Sequence, residues 1–153
     1  MLCYCCSKLE FAECCQGHLA NLSASNPEQL MRSRFSAYVL ENYKYILATY
    51  APAQAKELSI KALRDSAANT RWLQLEILKS SETSDEGSVE FVATYHVDNE
   101  FFEMHELSSF IKEDGRWFYT TGEMKDRCGQ IFPNRNESCP CGSGKKYKKC
   151  CRA

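Results

Sequence analysis

The residues best suited to chemistry are cysteines, gathered in two windows at opposite ends of the 153-residue chain. Residues 3–15 read "CYCCSKLEFAECC", and residues 139–151 read "CPCGSGKKYKKCC". Both windows contain C-x-C, then eight residues, then C-C, so the spacing is an internal repeat. The aligned cysteines are Cys3, Cys5, Cys14 and Cys15 in the first window and Cys139, Cys141, Cys150 and Cys151 in the second.

Four thiolates brought together by a short hairpin are a ligand set typical of structural zinc. Gly142 and Gly144 permit the tight turn that such a hairpin needs. A segment this small cannot bury a core, so metal binding would supply its folding energy. We predict two zinc ions per chain, bound by the eight aligned cysteines. Redox-active thiols and a strained vicinal disulfide are the alternatives.

The first window departs from the second outside the aligned cysteines. Cys6 and Lys8 stand where the second window has glycines, and no lysine cluster follows. Cys6 could replace Cys5 as a ligand, and His18 could replace one of the other ligands. Otherwise Cys6 and Cys128 are interpreted as free thiols.

The charge is distributed unevenly along the chain. Residues 125–153 hold eight Lys or Arg against two acidic residues, a net +6, so the net −1 of the whole chain leaves −7 for the rest. A basic tail favours an acidic or phosphate-rich partner. The predicted docking residues are Lys145, Lys146, Tyr147, Lys148 and Lys149. The lysines would also offset the charge of about −2 on a four-thiolate zinc centre.

The elements between the windows fall into a helical block followed by a strand block. Residues 25–52 read as helical, with a cap at Ser25 or Asn26, Pro27 in the first turn and a second helix at about 43–50. Residues 53–67 could supply a third helix. Residues 71–82, 88–97 and 101–122 alternate as strands, the last with a hairpin turn at 113–115. This order predicts an α+β domain, with 129–138 as a linker to the cysteine tail.

The composition predicts a cytoplasmic protein without a membrane span. No apolar run approaches the roughly 18 residues needed to cross a bilayer. The start, "MLCYCCSKLEF", has neither a basic leader nor an apolar core of a signal peptide. In a reducing compartment the ten cysteines favour metal over a disulfide framework.

Arg34 is the informative residue of the middle segment, because it lies within the apolar stripe of the first helix beside Tyr38. A buried guanidinium needs a partner, and Glu106 is the first candidate. The pair could be structural, could form the polar floor of a ligand pocket also lined by Tyr38 and Trp117, or could reach water.

No catalytic constellation accompanies these residues. His96 and His105 lie on predicted strands and titrate near neutral pH, but nothing places either beside a nucleophile or an orienting carboxylate. Solvent-facing or satisfied core histidines are the favoured interpretation. Trp72, Trp117 and Tyr119 are interpreted as core aromatics, with pocket walls as the alternative.

The second cysteine window resembles the SEC-C motif, the zinc-binding tail best known from the motor ATPase of bacterial preprotein export. That resemblance implies one zinc held by four cysteines, or by three cysteines and a histidine, in a module that docks on an export chaperone and the ribosome. The first window matches this motif in its ligands and little else. The ATPase machinery of the motor is not present, so the resemblance extends to the docking module alone.

The whole chain resembles the YchJ-type bacterial family, through "PEQLMRSRFSAYV" and "SSFIKEDGRWFYTTG" together with the doubled cysteine spacing. The resemblance implies SEC-C motifs at both ends of a nuclear-transport-factor-like cone, in which a curved antiparallel sheet wraps around helices and often leaves a cavity. The expected boundaries are 1–20, 21–124 and 125–153. Pairing through the open sheet face, as in relatives of this fold, would give a dimer.

These observations favour a non-enzymatic zinc-binding adaptor whose basic tail docks on a protein partner. The resemblance implies translation or protein-export machinery as the partner class, with the ribosome included. An enzyme or small-ligand binder that uses the central cavity is one alternative. Weak nucleic-acid binding through the lysine-rich tail is the other, with mainly phosphate contacts and little sequence preference.

Overall fold

The computed structural model describes residues 1–152, and within that range helices precede strands along the chain, which confirms the predicted α+β class. The helices are α1 (Cys15–Asn21), α2 (Pro27–Val39), α3 (Tyr43–Ala48), α4 (Pro52–Ala55) and α5 (Ile60–Ser66). The strands are β1 (Arg71–Glu82), β2 (Glu86–Val97), β3 (Glu100–Glu113), β4 (Arg116–Met124) and β5 (Gly129–Ile131). Short 3₁₀ turns occupy Phe11–Glu13 and Tyr147–Lys149.

Helix α2 begins where its sequence predicts, and α3 matches the predicted second helix at about 43–50. The Asn26 side chain accepts a hydrogen bond from the Gln29 backbone at 2.8 Å, and Pro27 occupies the first turn. Glu41 adopts a left-handed φ of 57°, and Asn42 then caps α3 by accepting from the Tyr45 backbone. Residues 25–52 therefore form two helices separated by a sharp reversal.

Residues 53–67 also divide, because a serine competes with helix continuation. Ser59 accepts a hydrogen bond from the Ala62 backbone at 3.0 Å and starts α5. The expected third helix is thus the short α4 followed by α5.

The five strands form one antiparallel sheet in the order β1-β2-β3-β4, with β5 paired to the opposite end of β3. Register shifts interrupt β1 and the β3–β4 pairing, and such bulges bend strands into a curved sheet. The prediction that residues 129–138 form a linker was wrong for the first three, which form β5. Strand β4 pairs only with residues 106–113 of β3, so residues 101–103 offer a free edge that 129–131 pair with.

The core lies between α2 and the concave face of the sheet. Leu30 and Phe35 of α2 pack with Phe91 and Phe110 of the sheet, and all are almost fully buried. Three cysteines of the first window, Cys3, Cys5 and Cys15, belong to the same cluster. Within residues 1–152, no helix combines the length and apolarity needed to cross a bilayer.

Two glycine substitutions test this packing. Replacing Gly87 with Ala would drive a Cβ into the Pro27 ring and place it 3.0 Å from the Ser81 carbonyl oxygen. Because neither neighbour is a flexible chain end, we expect Gly87→Ala to lower the free energy of unfolding by about 1–3 kcal/mol. Urea denaturation followed by circular dichroism measures the change.

Gly17→Ala is the matched control, because Gly17 lies in α1 and a Cβ added there would meet no heavy atom within 4 Å. This variant should raise the free energy of unfolding by roughly 1 kcal/mol through helix propensity. Equal effects of both substitutions would contradict the described contact between β2 and the start of α2.

Candidate metal centres and central cavity

The four aligned cysteines of the first window converge on one point. Cys5 Sγ lies 3.6 Å from Cys14 Sγ, and Cys14 Sγ lies 3.8 Å from Cys15 Sγ. One sulfur atom from each of Cys3, Cys5, Cys14 and Cys15 lies within 4.8 Å of all the others. We call this group the N-terminal thiol cluster.

The second window builds an equivalent group, the C-terminal thiol cluster, from Cys139, Cys141, Cys150 and Cys151. Cys141 Sγ lies 3.5 Å from Cys150 Sγ, and the Ser143 hydroxyl lies 3.3 Å from that same sulfur. Ser7 makes the equivalent 3.3 Å contact with Cys14 in the first cluster.

The two windows share a backbone fold as well as a spacing. The Cys3 N–H donates to the Leu9 carbonyl oxygen at 2.8 Å, and the Cys139 N–H donates to the Lys145 carbonyl oxygen at 2.8 Å. In each window a 3₁₀ turn leads to the adjacent cysteine pair, and an isolated bridge closes the hairpin. Cys14 and Cys150, which precede the last ligand, have nearly the same unusual dihedral angles, φ −124° and ψ −103° against φ −132° and ψ −109°. This reversal lets adjacent cysteines face one centre.

Positive φ angles close both hairpins. Gly142 and Gly144 each have φ 82°, and their counterparts Cys6 and Lys8 have φ 64° and 70°. The turn therefore requires a left-handed conformation that glycine adopts freely and that costs other residues about 1–2 kcal/mol.

The surroundings of the two clusters differ. In the N-terminal cluster, the Arg32 Nη1 of α2 donates to the Cys5 carbonyl oxygen at 3.0 Å and lies 4.0 Å from its sulfur. Cys3 Sγ lies 3.7 Å from the Ser36 hydroxyl, also on α2. This cluster is thus fixed to the central helix and receives a positive charge from it.

The C-terminal thiol cluster sits at the surface, on the sheet face opposite α2. Cys151 is exposed, and Lys145, Lys146 and Lys149 point into solvent around the hairpin. Gln74 of β1 donates to the Pro140 carbonyl oxygen at 2.8 Å. The Tyr147 ring packs edge-on against Phe101 of β3 at 6.0 Å. Tyr147, predicted as a docking residue, therefore anchors the hairpin to its own sheet.

Neighbouring hydroxyls and thiols favour a thiolate in each cluster. A hydrogen bond from Cys15, opposed by burial and assisted by Ser7, lowers the pKa of Cys5 to about 4, and the same bond raises the pKa of Cys15. Burial acts against ionisation of Cys141, but hydrogen bonds led by that of Ser143 lower its pKa to about 6. Metal binding requires that the thiols lose their protons. A cluster that already favours one thiolate is therefore suited to bind a cation, which would displace the protons of the remaining thiols.

The distances match metal coordination and exclude disulfides. Tetrahedral coordination with metal–sulfur bonds of about 2.3 Å requires sulfur atoms about 3.8 Å apart. A disulfide requires about 2.05 Å. All ten cysteines are unpaired in the structure, so the alternative of a vicinal disulfide at Cys150–Cys151 finds no support. Both clusters are compatible with metal binding.

The alternative ligands lie outside the clusters. Cys6 is exposed, and its thiol contacts the Tyr4 carbonyl oxygen at 3.8 Å. His18 Nδ1 is hydrogen bonded to the Ser23 hydroxyl at 3.0 Å. Cys128 contacts the backbone of His105 at 3.3 and 3.4 Å, far along the chain from either window.

The central domain contains a cavity of about 350 Å³ between α2, the end of α5 and the sheet. Arg34, Tyr38 and Glu106 line it, as the sequence predicts, together with Tyr50 and Tyr119. The expected direct Arg34–Glu106 ion pair is not formed among the described residues. Arg34 Nη1 instead donates to the Ile46 carbonyl oxygen at 3.0 Å and to the Thr49 hydroxyl at 2.7 Å.

Other predicted residues lie away from the cavity. Trp117 is buried, and its indole N–H donates to the Ser25 carbonyl oxygen at 3.2 Å, so it does not line the cavity wall. His105 lies on the outer sheet face, where Nε2 contacts Glu90 at 2.8 Å and Nδ1 accepts from the Arg127 backbone at 3.1 Å. His96 packs edge-on against Phe101. Neither histidine lines the cavity.

Comparison with known proteins identifies both parts of this architecture. The family model for the YchJ middle NTF2-like domain matches residues 26–122, and the model for the SEC-C motif matches residues 135–153. A UPF0225 protein of Vibrio cholerae (El Tor Inaba N16961) is 42% identical over 154 residues, which cover 99% of each chain. A UPF0225 protein of Serratia proteamaculans (strain 568) is 44% identical over 156 residues, covering 98% of this chain and 97% of the relative.

The chain belongs to the YchJ-type UPF0225 family.

Solved structures agree with the YchJ-type fold. The solution structure of a SEC-C motif containing protein from Rhodopseudomonas palustris has a TM-score of 0.77 and 36% identity, covering 82% of this chain and all of that chain. The crystal structure of a SEC-C motif containing protein from Psychrobacter arcticus has a TM-score of 0.67 and 30% identity, covering 99% of this chain and 96% of that chain.

Several contacts of this YchJ-type site were missed by sequence reasoning. Arg32 contacts Glu28 at 3.0 Å, as the four-residue spacing on a helix allows, but its hydrogen bond to Cys5 joins residues far apart in sequence. Gln74 and Phe101 gave no signal of their role in anchoring the second hairpin. Only the alignment of the two windows pointed to the strained turns at Cys6 and Lys8.

Relieving those turns should stabilise this YchJ-type protein. Cys6→Gly and Lys8→Gly remove side chains from left-handed positions, and each should raise the free energy of unfolding by roughly 0.5–1 kcal/mol. Metal content should not change, because the Cys6 thiol lies outside the cluster. Chemical denaturation and elemental analysis of the metal-loaded protein measure the two effects.

Ala12→Gly is the control in the same hairpin, since Ala12 is exposed and has no positive φ. That change should destabilise the protein by roughly 0.5–1 kcal/mol. Loss of metal in Cys6→Gly would show that Cys6 is a ligand and contradict the described cluster.

Proposed function

We propose that this protein is a zinc-binding, non-enzymatic adaptor. One zinc would hold the N-terminal hairpin in the core, and a second would shape a basic docking hairpin at the C-terminus. The observation that carries the proposal is that two hairpins of the same fold differ in the burial of their cysteines and in their charge. Three of the four cysteines of the first are buried in the core beside α2, whereas the second has one buried cysteine, Cys139, and is surrounded by exposed lysines.

Zinc suits both clusters better than other metals of the cell. Four cysteine sulfurs are the donor set of closed structural zinc sites. Each hairpin lacks a core of its own, so its fold depends on an additional source of free energy, which metal binding supplies.

Different charges offset the thiolates at the two sites. Arg32 approaches the N-terminal thiol cluster, whereas Lys145, Lys146 and Lys149 surround the C-terminal one and remain exposed. More positive charge is present at the second hairpin than one dianionic centre requires. The surplus supports electrostatic docking on an acidic surface.

A protein surface rich in carboxylates is the proposed partner. The SEC-C family match supports a partner in translation or protein export, the ribosome included. Ten unpaired cysteines support a reducing location such as the cytoplasm. Tyr147 would set the orientation of the docking surface through Phe101 rather than enter the partner.

The zinc proposal predicts two zinc ions per chain and unequal consequences of losing each one. Cys3→Ser/Cys5→Ser should lose one zinc and lower the free energy of unfolding by roughly 3 kcal/mol or more, because its cluster is part of the core. Cys139→Ser/Cys141→Ser should lose the other zinc and change the stability of the central domain by less than about 1 kcal/mol. Native mass spectrometry and thermal denaturation measure both.

Protein purified without added metal is the decisive sample. Wild type with fewer than two zinc ions would overturn the proposal, whatever the variants do. Equal destabilisation by the two double variants would contradict the assigned division between a core site and a surface site.

The docking proposal predicts that charge reversal of the C-terminal hairpin abolishes partner capture. Changing Lys145, Lys146, Lys148 and Lys149 to Glu should remove the proteins retained by the wild type from native extract, since it reverses the field at the docking surface. The matched control changes Lys44, Lys56, Lys61 and Lys79 to Glu, which are exposed on the central domain. Affinity capture with identification by mass spectrometry measures retention.

Nuclease treatment separates a protein partner from nucleic acid. Capture that survives nuclease and fails only in the hairpin variant supports the adaptor. Capture that disappears with nuclease, together with steeply salt-dependent binding to naked RNA, would replace it with nucleic-acid binding. Equal loss in both lysine variants would show that net charge alone is responsible.

A further inference from the structure

The central cavity contains a buried cation without a carboxylate partner. Arg34 is 3% exposed, and its guanidinium contacts two aromatic rings that meet edge-on, 4.5 Å from the Tyr50 centroid and 4.6 Å from the Tyr119 centroid. Contact with both rings stabilises the charge and helps to fix the position of the group.

One edge of that guanidinium is already used. Nη1 donates to the Ile46 carbonyl oxygen and the Thr49 hydroxyl. Nε and Nη2 make no hydrogen bond within residues 1–152, and Arg34 lines the cavity. Since Arg34 lines the cavity, these N–H groups are available to an anionic acceptor inside it.

Glu106 offers the complementary acceptor on the opposite side. It is 7% exposed, and both Ser108 and Tyr119 donate to its Oε2, the second at 3.2 Å. Oε1 receives no hydrogen bond from the described residues. The carboxylate has room because residue 122 is glycine, where a Cβ would collide with Oε2. Burial and the Glu106 charge raise the pKa of Tyr119, which therefore remains a hydrogen-bond donor at neutral pH.

The two charges face one cavity without neutralising each other directly, and the Tyr119 side chain touches both. A ligand that bridges them must present a hydrogen-bond acceptor and a donor close together. A carboxylate with an amino or hydroxyl group on the adjacent carbon has that arrangement, with the carboxylate directed to Arg34 and the donor directed to Glu106.

The walls of the cavity determine the rest of the ligand. Met31, Phe91 and Met104 line it with Trp72 and Tyr95, so the body of the ligand is surrounded by apolar and aromatic groups. The indole Nε1 of Trp72 is buried without an acceptor within the described residues. A volume of about 350 Å³ lies at the small end of the range for metabolite sites.

We propose that the central cavity binds a small 2-amino or 2-hydroxy carboxylic acid with an apolar side chain, held between Arg34 and Glu106. This site is independent of the zinc clusters and of the docking hairpin. It gives the central domain a role as a metabolite receptor.

Three probes that share a benzyl group test the proposal: phenylalanine, 3-phenyllactate and 3-phenylpropionate. Calorimetry on the zinc-loaded full chain should give dissociation constants of about 1 mM or tighter for the first two. The third should bind at least about tenfold more weakly, because it lacks the donor for Glu106. Tighter binding of phenylalanine would indicate that the site prefers an ammonium donor, and tighter binding of 3-phenyllactate would indicate a hydroxyl donor.

Nuclear magnetic resonance locates the bound probe within the chain. The two tryptophans give two indole N–H signals. The Trp72 signal should shift on binding. The Trp117 signal should not, since the Trp117 indole is hydrogen bonded to the Ser25 carbonyl oxygen outside the cavity. A shift of Trp117 alone would place the probe elsewhere and overturn the proposal.

Two substitutions separate the roles of the charged groups. Arg34→Met should weaken the binding of every probe about 100-fold. Arg64→Met, at an exposed position, should weaken the binding of none. Glu106→Gln should weaken the binding of phenylalanine at least about tenfold and leave the binding of 3-phenylpropionate unchanged. If Arg34→Met fails to fold, the order of probe affinities for the wild type and the result for Glu106→Gln still test the proposal. Failure of all probes to bind wild type, or equal binding of all three, would overturn the proposal.

Discussion

The fold depends on the convergence of four sulfurs in a segment that cannot fold by burial alone. Residues 1–15 contribute three nearly buried cysteines to the core, and α2 packs directly on them through Ser36 and Arg32. If those sulfurs did not share a cation, a cluster of thiols and one thiolate would lie beside Leu30 and Phe35. The same interaction therefore organises the terminus and completes the core.

The repeated hairpin shows how one local fold serves two purposes through its neighbours. The hydrogen bonds and the reversal before the last cysteine are common to both copies. What differs is the source of positive charge and the degree of burial. Arg32 serves the first copy from another element, while the second copy has its own lysines and contacts the body through Gln74 and Tyr147. Burial makes the first copy part of the scaffold, and exposure leaves the second available to a partner.

Sequence reasoning succeeded where local chemistry is sufficient. Cysteine spacing, the Asn26 cap and strand alternation specified both clusters, the start of α2 and four of the strands. It failed where long-range contacts decide. Strand β5 is three residues long and exists because β3 has a free edge, and the Arg34 guanidinium is held by aromatic faces and a backbone carbonyl, for which a sequence has no signature. The expectation of a carboxylate partner followed from charge alone, but the geometry separates the two residues.

Helix α2 connects the N-terminal thiol cluster to the cavity. Its Arg32 contacts the N-terminal thiol cluster, and two residues later Arg34 enters the cavity. A buried guanidinium without a carboxylate destabilises a fold, and an apolar residue of similar size would often be more stable there. Contacts with two tyrosine rings and two hydrogen bonds offset part of that cost. Arg34 and the buried carboxylate of Glu106 line one open cavity without pairing, and this arrangement is the basis of the proposed ligand site.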